Sequence, residues 1–121
     1  MPLINFKKEF VEKVLSSEKR QTIRKNRKRD FKVGDTLYLY TGVRTKNSTF
    51  LFEAICSDAL PIEINENAII IQMDDLTSRC ISTKHDLNVF AKQDGFDSFL
   101  TMLNFFNNEY GLPFHGILIK W

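Results

Sequence analysis

Several short runs of β-branched and aromatic residues restrict the folds that this chain can adopt. They cover residues 36–41, 50–56 and 114–121, and a further run covers residues 62–73 with a break at residues 65–67. Such runs are typical of β-strands, and short strands at close spacing favour a small barrel or a strongly bent sheet. The last run is apolar and β-branched, so we expect it to be a central strand.

Two segments have the spacing of an amphipathic helix. In residues 5–16, Phe6, Phe10 and Val14 recur every four residues, and Asn5 occupies the N-cap position. Apolar residues repeat at helical intervals again from residue 96 to residue 106, whereas residues 74–88 have no clear pattern. The sequence therefore predicts one α+β domain over residues 1–121, a small barrel flanked by two main helices.

Positive charge is concentrated in residues 19–32, here named the basic segment. Eight of the 17 Lys and Arg residues lie in it, offset by Asp30 alone: Lys19, Arg20, Arg24, Lys25, Arg27, Lys28, Arg29 and Lys32. Because the formal net charge is only +2, the remainder of the chain is net acidic. A concentrated cationic surface attracts polyanions such as a phosphate backbone. The alternative interpretation is a solvated loop.

The start of the basic segment has the pattern of a short strand at residues 21–24. Alternate residues of a strand share a face, so Thr22 and Arg24 point to one side, while Gln21 and Ile23 point to the other. We expect Ile23 in the core and Thr22 and Arg24 facing a cleft. Residues 25–30 contain no apolar side chain and predict an exposed loop, and residues 32–35 predict a turn at Gly34.

Several classes of protein are disfavoured by the composition. No run reaches the 18 or so apolar residues of a membrane span, and the N-terminal residues are too charged for a signal peptide, so we expect a soluble cytoplasmic protein. Cys56 and Cys80 are isolated, and neither His85 nor His115 has a partner pattern. We therefore predict no metal site and no cofactor, and the sequence leaves the oligomeric state open.

Four short motifs, in this order, carry a resemblance to a known family. They are SEKRQTIRK, KVGDTL, FAKQDGF and LIKW. With them the chain resembles the ASCH domain family of the PUA-like superfold, whose signature is Gly-x-Lys-x-x-x-x-Arg. Lys19 and Arg24 match that signature, and Ser17 stands in place of its glycine. The resemblance implies a PUA-like β-barrel with a cleft beneath the first helix, where RNA or a nucleoside or nucleotide binds.

One branch of that family implies a catalytic set. Bacterial N(4)-acetylcytidine amidohydrolases are small ASCH proteins with a proposed lysine, a threonine three residues later and a downstream glutamate. Lys19 and Thr22 match the first two, and Asp94 falls where the glutamate would be, one methylene shorter. The resemblance implies that Thr22 is a nucleophile and that Asp94 is the carboxylate that orients Lys19. Lys19 would either accept a proton from Thr22 or polarise a carbonyl group.

Each role has a structural alternative. Lys19 is otherwise an ordinary surface lysine at a helix end, Thr22 a β-branched strand residue, and Asp94 the N-cap of the second helix. Lys19 and Thr22 meet only if Lys19 lies in the turn before the strand.

Other residues of the basic segment are expected to bind ligand. Arg24 would act as a phosphate or carbonyl clamp. The remaining cations would form the basic rim and contact the nucleic-acid backbone: Arg20, Lys25, Arg27, Lys28 and Arg29. Three aromatic residues either stack on a base or belong to the core: Tyr38, Tyr40 and Phe50.

Three functional hypotheses follow. The first is a module that binds RNA or a nucleotide in the cleft. The second is an amidohydrolase acting on N(4)-acylated cytidine through Lys19, Thr22 and Asp94. The third is a non-catalytic domain whose basic segment binds an acidic protein partner. A ribonuclease is disfavoured because no pair of histidines is placed for acid–base catalysis.

Overall fold

The computed structural model describes residues 3–27 and 29–121. Three α-helices, one short 3-10 helix at Lys8–Phe10 and eight strands make up the described fold. In chain order they are β1 (Leu3–Phe6), α1 (Val11–Leu15), β2 (Gln21–Lys25), β3 (Thr36–Thr41), β4 (Thr49–Ile55), β5 (Asp58–Ile64), β6 (Ile69–Gln72), β7 (Ser78–Ile81), α2 (Lys84–Gln93), α3 (Phe99–Glu109) and β8 (Phe114–Lys120).

The strands form two sheets. The smaller sheet has the order β1-β3-β4, with β1 parallel to β3, and the larger sheet is antiparallel with the order β2-β8-β5-β6-β7. The predicted α+β class is confirmed. Closure of the strands into a PUA-like barrel is not established by two separate sheets and stays a prediction.

Strand β8 contributes buried residues to both faces of the larger sheet. Leu118 packs with the residues of α2 and α3, whereas Ile117 and Ile119 pack against the smaller sheet. Neighbouring residues of a strand point to opposite faces, so one apolar strand serves two hydrophobic clusters. The expectation that the last run forms an internal strand is confirmed, because β8 pairs with both β2 and β5.

The predicted helix over residues 5–16 is wrong in its first part. Residues 3–6 form β1, which pairs with β3, and Ile4 and Phe6 are both buried. The sequence fits a period of two and a period of four equally well there, and pairing with a distant strand decides between them. Asn5 is not a helix cap, since its side-chain oxygen accepts a hydrogen bond from the Val43 amide at 3.0 Å. Helical structure starts only at Lys8.

Residues 84–93, within and just beyond the unpatterned segment, form α2. Thr83 caps this helix by accepting a hydrogen bond from the Asp86 amide at 3.2 Å, and Leu87, Phe90 and Ala91 are its buried residues. The second predicted helix corresponds to α3, which starts three residues later than expected. Its N-cap is Ser98 rather than Asp94. Asp94 lies instead at the C-cap of α2.

Other local predictions agree with the structure. The turn at Gly34 forms, with φ at +94° and a hydrogen bond from the Asp35 amide to the Lys32 carbonyl. Ile23 is in the core as expected. Among the described residues, no helix combines the length and the apolar character that a membrane crossing requires.

The chain leaves α2 through Gly95, which has φ of +96°. A Cβ atom at this position would lie 2.9 Å from Cδ1 of Phe10 and 3.1 Å from Cδ of Lys19. Both distances are shorter than ordinary van der Waals contact. Glycine therefore allows the end of α2 to approach the segment that carries Phe10 and Lys19.

We predict that Gly95→Ala lowers the free energy of unfolding more than Gly34→Ala does. Both glycines have nearly the same φ, but a Cβ at Gly34 would meet no described atom within 4 Å. The control therefore reports the backbone strain alone, and overpacking at Gly95 should add about 1–3 kcal/mol. Urea denaturation of the two variants measures the difference. Equal losses of stability would contradict the close approach.

Candidate functional site

A pocket of about 170 Å³ lies where the ends of several elements meet at the β2 edge of the larger sheet. Seven polar or charged residues line it: Asn5, Lys7, Lys19, Thr22, Arg24, Asp94 and Glu109. Aromatic rings form much of the remaining wall: Phe6, Phe10, Phe96, Phe105, Phe106 and Tyr110. The structure thus brings together the three residues predicted to be catalytic and the arginine predicted to be a clamp.

Lys19 and Asp94 form a buried pair. Nζ of Lys19 donates a hydrogen bond to the main-chain oxygen of Asp94 and lies 3.5 Å from Oδ1 of the same residue. Each side chain is only 3% exposed. The centres of the Phe6 and Phe10 rings lie 5.8 and 5.2 Å from Nζ of Lys19, so aromatic rings also contribute to its environment.

Two lysine side chains, Lys13 and Lys19, lie at the C-terminal end of α2, where the helix attracts cations. The last carbonyls of a helix lack partners within the helix and carry partial negative charge. Lys19 binds the Asp94 carbonyl, and Nζ of Lys13 donates to the Gly95 carbonyl at 3.0 Å. A carboxylate at the same helix end is unfavourable by itself, so Asp94 increases the need for a cation. Lys19 does bind a helix end, that of α2 rather than α1, but it is buried, so the alternative of an ordinary surface lysine is wrong.

Gln21 is a site residue that the sequence analysis missed. Its Nε2 donates to Oδ1 of Asp94 at 3.4 Å, and the side chain is buried. The strand period places Gln21 and Thr22 on opposite faces of β2. Gln21 lies on the face that contacts the end of α2. A glutamine at an expected core position was the available signal, because a buried amide requires a partner.

Thr22 and Arg24 share a face of β2, as predicted from the strand period. Nε of Arg24 donates to Oγ1 of Thr22 at 3.1 Å, and the guanidinium lies 5.2 Å from the centre of the Phe6 ring. In the part of the chain that the structure describes, Arg24 forms no ion pair. Its terminal N–H groups are therefore donors that a ligand in the pocket can use.

Lys19 also meets the condition for contact with Thr22, which is that it lies before the strand and not in it. It lies outside any helix or strand, in the loop between α1 and β2. From there its side chain lines the same pocket as Thr22.

Burial shifts the ionisation of the pair toward the uncharged forms. It lowers the pKa of Lys19, and the carboxylate of Asp94 only partly opposes that effect. Burial likewise raises the pKa of Asp94 against the attraction of Lys19. Loss of hydration disfavours both charged forms, which is the physical cause of the two shifts. A lowered pKa leaves a larger fraction of the amine unprotonated near neutral pH than in an ordinary lysine, and only the neutral amine can accept a proton.

The other predicted binding residues that the structure describes lie outside this pocket. Arg20, Lys25, Arg27 and Arg29 are exposed, and the guanidinium of Arg27 lies 4.5 Å from the centre of the Phe31 ring. Lys25 lines a neighbouring cavity. Lys28 lies outside the described residues.

The aromatic residues proposed for base stacking are also elsewhere. Tyr38 and Tyr40 belong to β3 and Phe50 to β4, and none of the three lines the pocket. Tyr40 and Phe50 contact each other with ring centres 5.2 Å apart. The rings that do line the pocket come from β1, the 3-10 helix, and α3 with its flanking residues. Their convergence depends on tertiary contacts that no local pattern encodes.

Within residues 3–27 and 29–121 there is no group of three or more His, Cys, Asp or Glu side chains arranged to hold a metal ion. His115 lies 3.8 Å from Glu63 and outside the pocket.

Comparisons with known proteins identify no relative. No family model matches the chain, and neither the curated proteins nor the solved structures contain a match. The interpretation of the pocket therefore rests on its own geometry and chemistry.

We predict an unusual pH dependence of stability from Asp94. Its pKa in the folded protein is raised above the ordinary value of 3.8. Between these two values the folded protein holds a proton that the unfolded chain releases. The stability that this carboxyl group contributes is therefore full below pH 3.8 and is lost as pH rises through the raised pKa.

Measuring unfolding free energies of the native protein and of Asp94→Asn from about pH 3 to pH 6 tests this linkage. The native protein should lose stability relative to the variant as pH rises. Asp97→Asn is the control for removing one negative charge, because Asp97 is exposed and only three residues away. A native protein that gains stability relative to Asp94→Asn over this range would contradict the raised pKa.

Proposed function

We propose that the pocket binds one base of RNA, or the base of a free nucleoside or nucleotide, and that the exposed basic segment contacts the phosphate backbone. The observation that carries this proposal is the convergence of Lys19, Thr22, Arg24 and Asp94 in one pocket with aromatic walls. Such a pocket offers stacking surfaces and hydrogen-bonding groups together, and single-stranded RNA is recognised through both.

The size of the pocket supports a single-ring base. Its volume is about 170 Å³, and an engineered protein cavity of about 150 Å³ accommodates benzene. A pyrimidine ring therefore fits, whereas a complete nucleotide must extend out of the pocket. The donors of Arg24 suit a carbonyl edge of the base, and Asp94 is available to an amino group or ring nitrogen.

The backbone conformation at Ser17 is consistent with the resemblance to the ASCH family. Ser17 occupies the position of the glycine in the family signature, and its φ is +66°. Few residues other than glycine adopt this conformation readily. The signature glycine would therefore suit the local backbone, and Lys19 follows two residues later.

Binding of short single-stranded RNA at a series of salt concentrations tests the proposal. Trp121 is the only tryptophan, and its ring lies 5.8 Å from that of Phe6, so its fluorescence should respond to a filled pocket. We expect log K to fall linearly with log salt concentration. Absence of binding at low salt would refute the proposal.

A matched pair of double variants locates the positions that bind the backbone. Changing Arg27 and Arg29 to Gln should weaken binding and reduce the salt slope by about one for each phosphate that is no longer neutralised. Changing Arg44 and Lys46 to Gln removes the same charge from the β3–β4 connection and should leave the slope unchanged. Equal effects of the two double variants would contradict a role for the basic segment.

A second candidate function is hydrolysis of the acyl group from N(4) of cytidine. It is favoured by the lowered pKa of Lys19 and by the buried hydroxyl of Thr22 in the same pocket. Neutral Lys19 would accept the Thr22 hydroxyl proton while Oγ1 attacks the acyl carbon. The carbon–nitrogen bond would then break as Lys19 returns the proton to N(4), leaving cytidine and an acyl-threonine.

Water completes the reaction. It would attack the acyl-threonine, transfer a proton to Lys19 and release acetic acid as Thr22 regains its proton. Arg24 would stabilise negative charge on Oγ1 through the hydrogen bond already present, and Asp94 would orient Lys19.

Incubation with N(4)-acetylcytidine, followed by chromatography of released cytidine, tests this candidate. We expect Lys19→Met to reduce the rate at least about a hundredfold, since it removes the acid–base group. Lys13→Met is the matched control, because Lys13 also binds the end of α2 but does not line the pocket. The assignment fails if Lys19→Met retains the native rate, or if both variants lose the rate equally.

A further inference from the structure

A second cavity of about 300 Å³ adjoins the pocket. It is here named the outer groove and is lined by Lys25, Glu109, Tyr110, Gly111, Pro113, Phe114 and His115. Glu109 and Tyr110 line both cavities, so the two spaces share a wall. A ligand that occupies the pocket therefore has a second cavity directly beside it.

Two consecutive residues of β2 line the two cavities. Arg24 lines the pocket, and Lys25 lines the outer groove. Consecutive strand residues point to opposite faces, so the edge of β2 lies between the two cavities. Lys25 also begins the exposed stretch of the basic segment. Arg24 and Lys25 therefore place one cation in each of the two adjacent cavities.

Tyr110 provides a supported aromatic surface at the shared wall. Its ring is stacked with that of Phe106 at 29° and 6.2 Å, and it lies 4.9 Å from the ring of Phe114. Half of Tyr110 is nevertheless exposed. A ring held by two others and open on the remaining side loses little conformational freedom when a base stacks on it.

Polar groups around the outer groove suit a sugar and a phosphate. Lys25 is an exposed cation, and His115 is 63% exposed beside Glu63. The carboxylate of Glu109, 3.2 Å from Nζ of Lys7, is an acceptor for sugar hydroxyl groups. A groove with a cation, an acceptor and an aromatic face matches a nucleotide better than it matches an apolar ligand.

We infer that the outer groove is a second nucleotide subsite, in which a base neighbouring the one in the pocket stacks on Tyr110 and the linking phosphate contacts Lys25. This inference rests on the proposed binding of a base in the pocket. It selects a strand of RNA, rather than a free nucleoside, as the ligand.

Affinities for cytidine and for the dinucleoside monophosphates CpA and ApC, measured at one salt concentration, test the inference. Stacking of one base contributes about 1–3 kcal/mol, so at least one dinucleotide should bind about tenfold more tightly than cytidine. Tyr110→Leu and Lys25→Gln should each reduce the ratio of the two affinities toward one.

Phe50→Leu is the matched control, because Phe50 and Tyr110 are each 50% exposed and Phe50 lies in the smaller sheet. It should leave the affinity ratio at its native value. Lys46→Gln is the corresponding control for the loss of one exposed lysine.

The outcomes separate the subsite from the pocket. If cytidine binds and neither dinucleotide binds more tightly, the outer groove is not a subsite, and the proposed pocket function survives. If neither cytidine nor a dinucleotide binds, both proposals fail. A tighter dinucleotide whose advantage is unchanged in Tyr110→Leu and Lys25→Gln would also overturn the assignment of the outer groove.

Discussion

The contact between Lys19 and the end of α2 is the interaction on which the arrangement of the site depends. It joins the loop before β2 to the last turn of a helix seventy-five residues further along the chain. A buried ammonium group is costly unless its partners compensate for lost hydration. Asp94 supplies a carbonyl and a carboxylate, and Phe6 and Phe10 supply ring faces. The pocket beside this contact is therefore bounded by groups that already hold one another in place.

The contact between Lys19 and Asp94 stabilises the fold, and it also places an amine in the pocket. Two lysines bind consecutive carbonyls at the end of α2, but only Lys19 also lines the pocket with Thr22 and Arg24. Removing one partner of a buried ion pair costs about 3–5 kcal/mol, because the other charge remains buried. Loss of function after such a change does not by itself identify chemistry. Lys13 and Lys19 both bind the end of α2, so comparing substitutions of the two separates a loss of stability from a loss of chemistry in the pocket.

Local sequence patterns predicted the parts of the fold that depend on neighbouring residues. The strand period placed Thr22 and Arg24 on one face of β2, and the apolar repeat identified most of α3. Long-range pairing was decisive where prediction failed. Phe6 fits both a helix and a strand, and only its pairing with β3 selects the strand. Likewise, the contact of Gln21 with Asp94 and the aromatic walls of the pocket depend on elements that are distant in sequence.

The assignment of β1 and β2 to different sheets has a thermodynamic consequence. The connection between them carries Phe10 and Lys19, and it contacts the end of α2 and the segment that joins α2 to α3. The pocket therefore exists only when both sheets and α2 are assembled together. Occupancy of this site and cooperative unfolding of the domain are coupled, because a ligand that binds only the assembled form stabilises both sheets at once.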